Sequence, residues 1–133
     1  MIAGPFHHLA IQVRDLEGLT RWYQELFGLP LLRRWPGNDG RDRSVWLDLG
    51  AHAFLALERC EGIPAAGEPW SRETPGLFLL ALRMPLADRA DWEHRLAARG
   101  IAVERRTSWT IFFRDPEGNR LGLSSHPDGV EGP

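Results

Sequence analysis

Two adjacent histidines, His7 and His8, open the stretch FHHLAIQVRDL at residues 6–16. An imidazole can ligate a metal, move a proton near neutral pH or stack on a ring, so the pair is the first chemical feature of the chain. In a strand, neighbouring side chains point to opposite faces, so at most one of the pair serves a given site. Residues 8–13 alternate, with Leu9, Ile11 and Val13 on one face and His8, Ala10 and Gln12 on the other. The strand therefore presents His8, while His7 is expected on the opposite side or, at the strand's start, simply in solvent. Three more groups could join His8: His52, Phe54 and Glu58 recur at every second or fourth position of a later apolar run. Other chemistry is excluded by type. All 16 basic residues are arginine, so there is no Schiff-base lysine. Cys60 is the single cysteine, which rules out an intrachain disulfide and a cysteine-rich zinc site. No serine or cysteine stands in a nucleophile elbow.

The elements that must position these residues follow from periodicity. Asp15 stands at an N-cap position, and Leu16, Leu19, Trp22, Tyr23, Leu26 and Phe27 recur at helical spacing until Gly28 ends the run. Residues 29–35, 44–50 and 52–58 read as strands, the last two joined tightly through Gly50-Ala51. A Pro- and Gly-rich linker at 59–75 follows, and then the pattern restarts. Residues 77–84 are expected as a strand and 88–99 as a helix stopped by Gly100. Residues 101–106, 109–115 and 119–125 complete three further strands, the last two joined through DPEGN. Residues 8–13 lie over 79–84, and Gly28-Leu29 over Gly100-Ile101, so the chain contains a repeated βαβββ order.

These motifs resemble the vicinal oxygen chelate superfamily, which includes glyoxalase I, extradiol dioxygenases, fosfomycin resistance proteins and bleomycin resistance proteins. The resemblance covers residues 6–126 and is carried by HHLAIQVRDLEGLTRWYQELFGL, VWLDLGAHAFLALE and FFRDPEGNRLGL. It implies an α+β fold: two βαβββ modules, 6–58 and 76–126, in a single domain over 1–133, with curved mixed sheets forming an open barrel-like cleft. In metal-dependent members, four side chains on the first and last strands of the modules converge on a divalent ion. Carried over one by one, those positions are His8, Ala56, Leu79 and Gly122, and only His8 can bind a metal. Catalytic sites of this kind need about three protein ligands.

The expected reading is therefore a protein that binds a small organic molecule, aromatic or anionic, in the cleft between the sheets, with no metal or other cofactor. Alternation places His8, Ala10, Gln12, Trp46, Asp48, His52, Phe54 and Glu58 along that cleft from the first module. Leu79, Ala81, Arg83, Arg120, Gly122 and Ser124 line it from the second. The alternative is a glyoxalase- or dioxygenase-like enzyme. In one version a displaced Zn, Ni, Fe or Mn site uses His8 and Glu58, with His52 as a third ligand. In the other, His8 is a catalytic acid or base, with Arg83 or Arg120 stabilising an oxyanion.

The net charge of −2 and the lack of a basic cluster leave no footprint for nucleic acid or an anionic membrane. No apolar run approaches the roughly 20 residues of a membrane span, and the N-terminus lacks the pattern of a signal peptide. A cytoplasmic location is expected, and the resemblance implies a homodimer, with Trp70 and Trp109 as exposed apolar residues for contact.

Overall fold

The computed structural model describes residues 1–64 and 67–127. The linker positions 65 and 66 and the tail from 128 lie outside the described residues. The chain divides into two compact units, Met1–Pro64 and Ala65–Pro133. Each contains one four-stranded mixed sheet with two free edges, so neither sheet closes on itself.

In the first unit, β1 (His8–Val13) is followed by helix α1 (Leu16–Phe27), then β2 (Leu31–Pro36), β3 (Asp42–Gly50) and β4 (Ala53–Arg59). The spatial order is β1-β4-β3-β2, with β1 parallel to β4 and the other pairs antiparallel. The Asp15 carboxylate accepts from Gly18 N at the start of α1, and Gly28, at φ 69°, closes its end through a bond to Gln24 O. A left-handed residue is needed at that cap, and glycine adopts it without a Cβ penalty. The helix buries Leu16, Leu19, Thr20, Tyr23 and Leu26 and packs on β3 and β4. Val13, Val45, Leu47, Leu55 and Leu57 are fully buried on the sheet side that faces it. Arg34 of β2, opposite Val45, reaches across to Glu17 of α1 at 2.9 Å and to Asp42 at 2.8 Å.

The turn between β2 and β3 is clamped by Asp39. Arg59 Nη1 and Nη2 donate to its two oxygens at 2.8 and 3.0 Å, and Arg41 adds a backbone and two side-chain donors. The Arg59 fork, and after it the Arg41 donors, hold the Asp39 carboxyl well below the usual carboxylate range. A depressed folded-state pKa contributes stability above the unfolded value and loses it as pH falls toward the folded one. The stability gap between wild type and Asp39→Asn is thus expected to be widest near neutrality and to close on acidification. Thermal melts through the acid range check this; a gap independent of pH refutes it. Solvent screens the exposed clamp, so the gap is small.

In the second unit, β5 (Leu80–Arg83) leads through a short 3-10 turn (Leu86–Asp88) into α2 (Arg89–Ala98), followed by β6 (Arg105–Arg106), β7 (Thr110–Arg114) and β8 (Arg120–Ser124). The order is β5-β8-β7-β6, the same arrangement as in the first unit. Arg106 stands opposite Ile111, and its Nε donates to Glu93 of α2 at 2.7 Å. The helix therefore covers the face that carries Ile111, Phe113, Leu121 and Leu123, all essentially buried.

Three expected elements are corrected. The strand expected at 77–84 begins only at Leu80, because Leu77 is exposed and Phe78 turns to meet Trp70. The strand expected at 101–106 shrinks to two residues, since Ile101 N is used to cap α2 through Leu96 O. Helix α2 starts at Arg89, the expected Asp88 being the end of the 3-10 turn.

The DPEGN turn joins β7 to β8 around a buried carboxylate. Asp115 is 4% exposed, and its Oδ1 accepts from Glu117 N and Asn119 N, each at 2.9 Å. Its Oδ2 accepts from Asn119 Nδ2 at 2.8 Å, and Gly118 takes the left-handed conformation, at φ 88°, that the reversal requires.

Candidate functional site

One face of the first sheet is taken by α1; the chemistry lies on the other. Cross-strand register sorts that second face into rows. His8 stands beside Phe54 and Phe54 beside Asp48. Ala10, Ala56, Trp46 and Arg33 form the next row, and Gln12, Glu58, Ser44 and Trp35 the third.

The aromatic members of these rows touch. His8 stacks on Phe54 with centroids 4.8 Å apart and planes 9° from parallel. Phe54 stacks on Trp46 at 4.3 Å, and Trp46 meets Trp35 edge to face at 5.3 Å. The Arg33 guanidinium carbon lies 3.6 Å from the centre of a Trp35 ring, which is cation–π geometry. The result is a band of π surface from His8 to Trp35, ending in a positive charge. Trp35 Nε1 is buried without a hydrogen-bond partner among the described residues, a donor an incoming acceptor could satisfy.

His7 joins this cluster, contrary to the expected opposite side. It precedes β1, so the strand pleat does not fix its direction. Its Nδ1 lies 2.7 Å from His8 Nδ1, and its ring meets Phe54 edge to face at 5.4 Å. One of the two rings must hold its proton on Nδ1 and the other must not.

The displaced metal set of His8, Glu58 and His52 is not assembled. His8 pairs with Phe54 while Glu58 pairs with Gln12, four residues apart along β4, or roughly 13 Å. Glu58 accepts instead from Ser44 Oγ at 3.0 Å. His52 is not on the strand at all. With Ala51 it forms the β3–β4 turn, at φ 65° and 50°, and it is exposed. Asp48, expected along the cleft, accepts from Gly50 N at 2.7 Å in the same turn. Among the described residues no three His, Cys, Asp or Glu side chains come together as a ligand set.

The carried-over positions do not fit a metal either. Ala56 is 2% exposed, between Ala10 and Trp46. At Gly122 a Cβ would lie 3.2 Å from Thr110 Cγ2 and 3.4 Å from Leu79 Cδ1, so even alanine presses on its neighbours. Two side chains occupy the space a longer group at 122 would need.

In the second unit the helix-free face carries Ala81, Gly122 and Phe112 in one row, with Arg83, Ser124 and Thr110 beside it. Arg83 is exposed at the end of β5, and Ser124 Oγ accepts from Thr110 Oγ1 at 2.8 Å. Arg120, expected to meet an anion, donates to Pro69 O at 3.0 Å and lies over the rings of Trp70 and Phe78. Trp70 and Trp109, expected as exposed, are half-buried, and the indole nitrogen of each is buried.

Sequence reasoning missed Arg33 and Trp35. A register shift between Leu31 and Arg33 resets which side chains of β2 face the row, and alternation counted from Leu29 cannot reveal it. Phe112 was missed as well, although it stands opposite Gly122.

The family model for the Glyoxalase/Bleomycin resistance protein/Dioxygenase superfamily matches residues 6–123. No curated protein matches the chain in sequence. Among solved structures, the antibiotic-binding protein TnmS3 from a Streptomyces species is 30% identical, with a TM-score of 0.65, over 94% of this chain and 98% of that one. A glyoxalase/dioxygenase from Nostoc punctiforme is 17% identical with a TM-score of 0.76, over 96% and 98%. The fosfomycin resistance protein FosX from Listeria monocytogenes is 17% identical with a TM-score of 0.69, over 94% and 93%. The last two likenesses concern the fold alone.

Proposed function

The chain belongs to the Glyoxalase/Bleomycin resistance protein/Dioxygenase superfamily, the vicinal oxygen chelate proteins, and from that premise we propose that it binds a small aromatic molecule without a catalytic metal. The ligand lies on the helix-free face of the first sheet. The observation that carries this reading is the stacked band of His8, Phe54, Trp46 and Trp35, beside a β4 position where alanine replaces a ligand. A planar ligand gains from such a surface both buried area and ring–ring contact. Arg33 at the end of the band favours an anionic or electron-rich edge on the ligand, and Trp35 Nε1 a hydrogen-bond acceptor. The likeness to an antibiotic-binding protein at 30% identity supports binding over turnover.

His8 is a wall of this site: Phe54 takes its ring face and His7 its Nδ1. The reading extends to a homodimer in the cytoplasm, for which Leu31 and Leu32, exposed on the edge strand β2, offer apolar contact. Among the described residues no helix is long and apolar enough to cross a membrane.

Thermal-shift titration with 2-naphthoate and 2-naphthol, in EDTA and then with Zn, Ni, Fe or Mn, tests the reading. A native-state ligand at a hundred times its Kd adds about 2.7 kcal/mol of apparent stability. The expected outcome is stabilisation by the naphthalene compounds that EDTA leaves unchanged. Stoichiometric metal that His8→Ala removes would sink the metal-free reading.

A further inference from the structure

A piece of the linker covers the helix-free face of the second sheet. Arg114 and Arg120 are cross-strand partners, so both guanidinium groups rise from that face. They hold two consecutive main-chain oxygens: Arg114 Nη2 donates to Glu68 O, and Arg120 Nη2 to Pro69 O at 3.0 Å. Trp70 follows at once. Its indole meets Phe112 at 5.4 Å and Phe78 at 5.8 Å, and the Arg114 and Arg120 guanidinium carbons lie 5.0 and 5.3 Å from its ring. Residues 68–70 therefore offer this face two acceptor oxygens and one flat ring.

That is the chemistry of an aromatic carboxylate, but the strap is an incomplete match for it. Trp70 Nε1 is buried with no hydrogen-bond partner among the described residues. Arg120 takes a neutral carbonyl and has no carboxylate partner among them, whereas a charged acceptor binds a guanidinium more strongly. The Glu68 carboxylate, which could have served, pairs with Arg72 at 3.5 Å instead.

We propose that residues 67–70 act as an internal surrogate ligand, and that Phe112, Arg114 and Arg120 beneath them form a second site, for a small aromatic carboxylate that displaces the strap. All of these residues belong to the second unit. Displacement exchanges two neutral acceptors for one anion and frees the indole nitrogen.

Calorimetric titration of the full chain with 2-naphthoate and with neutral 2-naphthamide tests this. All arms carry Trp46→Ala, which weakens the first-sheet band equally in every arm, so the comparison between arms holds whether or not that first reading does. Adding Trp70→Ala is expected to tighten naphthoate binding about tenfold with no such gain for the amide, and adding Arg120→Gln to abolish the gain. Equal naphthoate affinity with and without Trp70→Ala overturns the proposal. If Trp70→Ala does not fold, tryptic cleavage after Arg72, identified by mass, replaces it. Naphthoate but not the amide should then accelerate that cut in the parent, and an unchanged rate overturns the proposal.

Discussion

Replacing Asp115 by alanine should lower the stability of the protein by about 3 kcal/mol, the largest loss expected from any single polar side chain here. Three donors converge on this carboxylate: the amides of Glu117 and Asn119 and the side-chain Nδ2 of Asn119. Asp115 is 4% exposed, so water does not simply take its place. Bonds to a charged acceptor are worth more than neutral ones, and the stranded donors add a desolvation cost. The turn also fixes where β8 begins, hence the register that sets Gly122 against Phe112 and Arg120 against Arg114. Asparagine is the informative control. Its Oδ1 can still accept the two backbone amides, and a flip of Asn119 restores the third contact, so Asp115→Asn should cost well under half as much. Thermal melts of the two variants decide the matter: equal losses would mean that the turn does not depend on the accepted bonds.

The motif around Asp115 was legible in the sequence because its physics is local. Asp, Pro and Gly at those spacings admit few turns. The first strand and helix were legible for the same reason: alternation over 8–13 and a capped 3.6-residue repeat over 16–27 are copied by β1 and α1 without a shift. Long-range features were not. The run from Leu77 to Leu82 is apolar throughout, so nothing in its period marks where pairing with β8 begins. His52 was carried onto a strand by extending the alternation of Phe54, Ala56 and Glu58 backwards through a turn. That turn uses left-handed Ala51 and His52, residues that do not announce it. The bulge in β2 and the lodging of Trp70 on Phe112 depend on partners far away in sequence. Most of the face residues were legible from alternation, but the bonds that commit Asp48, Glu58 and Arg120 to structural roles were not.

The two helix-free faces differ in what the chain does with its arginines. On the second sheet Arg114 is bound to Glu104 at 3.1 Å as well as to the strap, and Arg120 is folded against Trp70 and Phe78. On the first sheet Arg33 is exposed and stacked on Trp35. A guanidinium that lies on an indole keeps its edge donors available to an anion. On the proposed reading Arg33 would therefore orient a ligand on the first sheet, while the rings would set its affinity.

That division leads to the second large effect, on binding. Trp46→Ala is expected to weaken 2-naphthoate roughly 30-fold, or about 2 kcal/mol. Trp46 is the middle of the band, stacked on Phe54 at 4.3 Å and edge-on to Trp35 at 5.3 Å, so its removal splits one continuous surface into two short ones. The figure combines the apolar area a naphthalene would no longer bury with the ring–ring term beyond it. Arg33→Gln should act differently: naphthoate weakens while 2-naphthol barely changes, because only the carboxylate needs the charge. Trp46 is half-buried, so each titration belongs well below the variant's own melting midpoint. Unchanged naphthoate affinity in folded Trp46→Ala would remove the band from the binding site, and equal losses for both ligands in Arg33→Gln would take from Arg33 its part in orienting them.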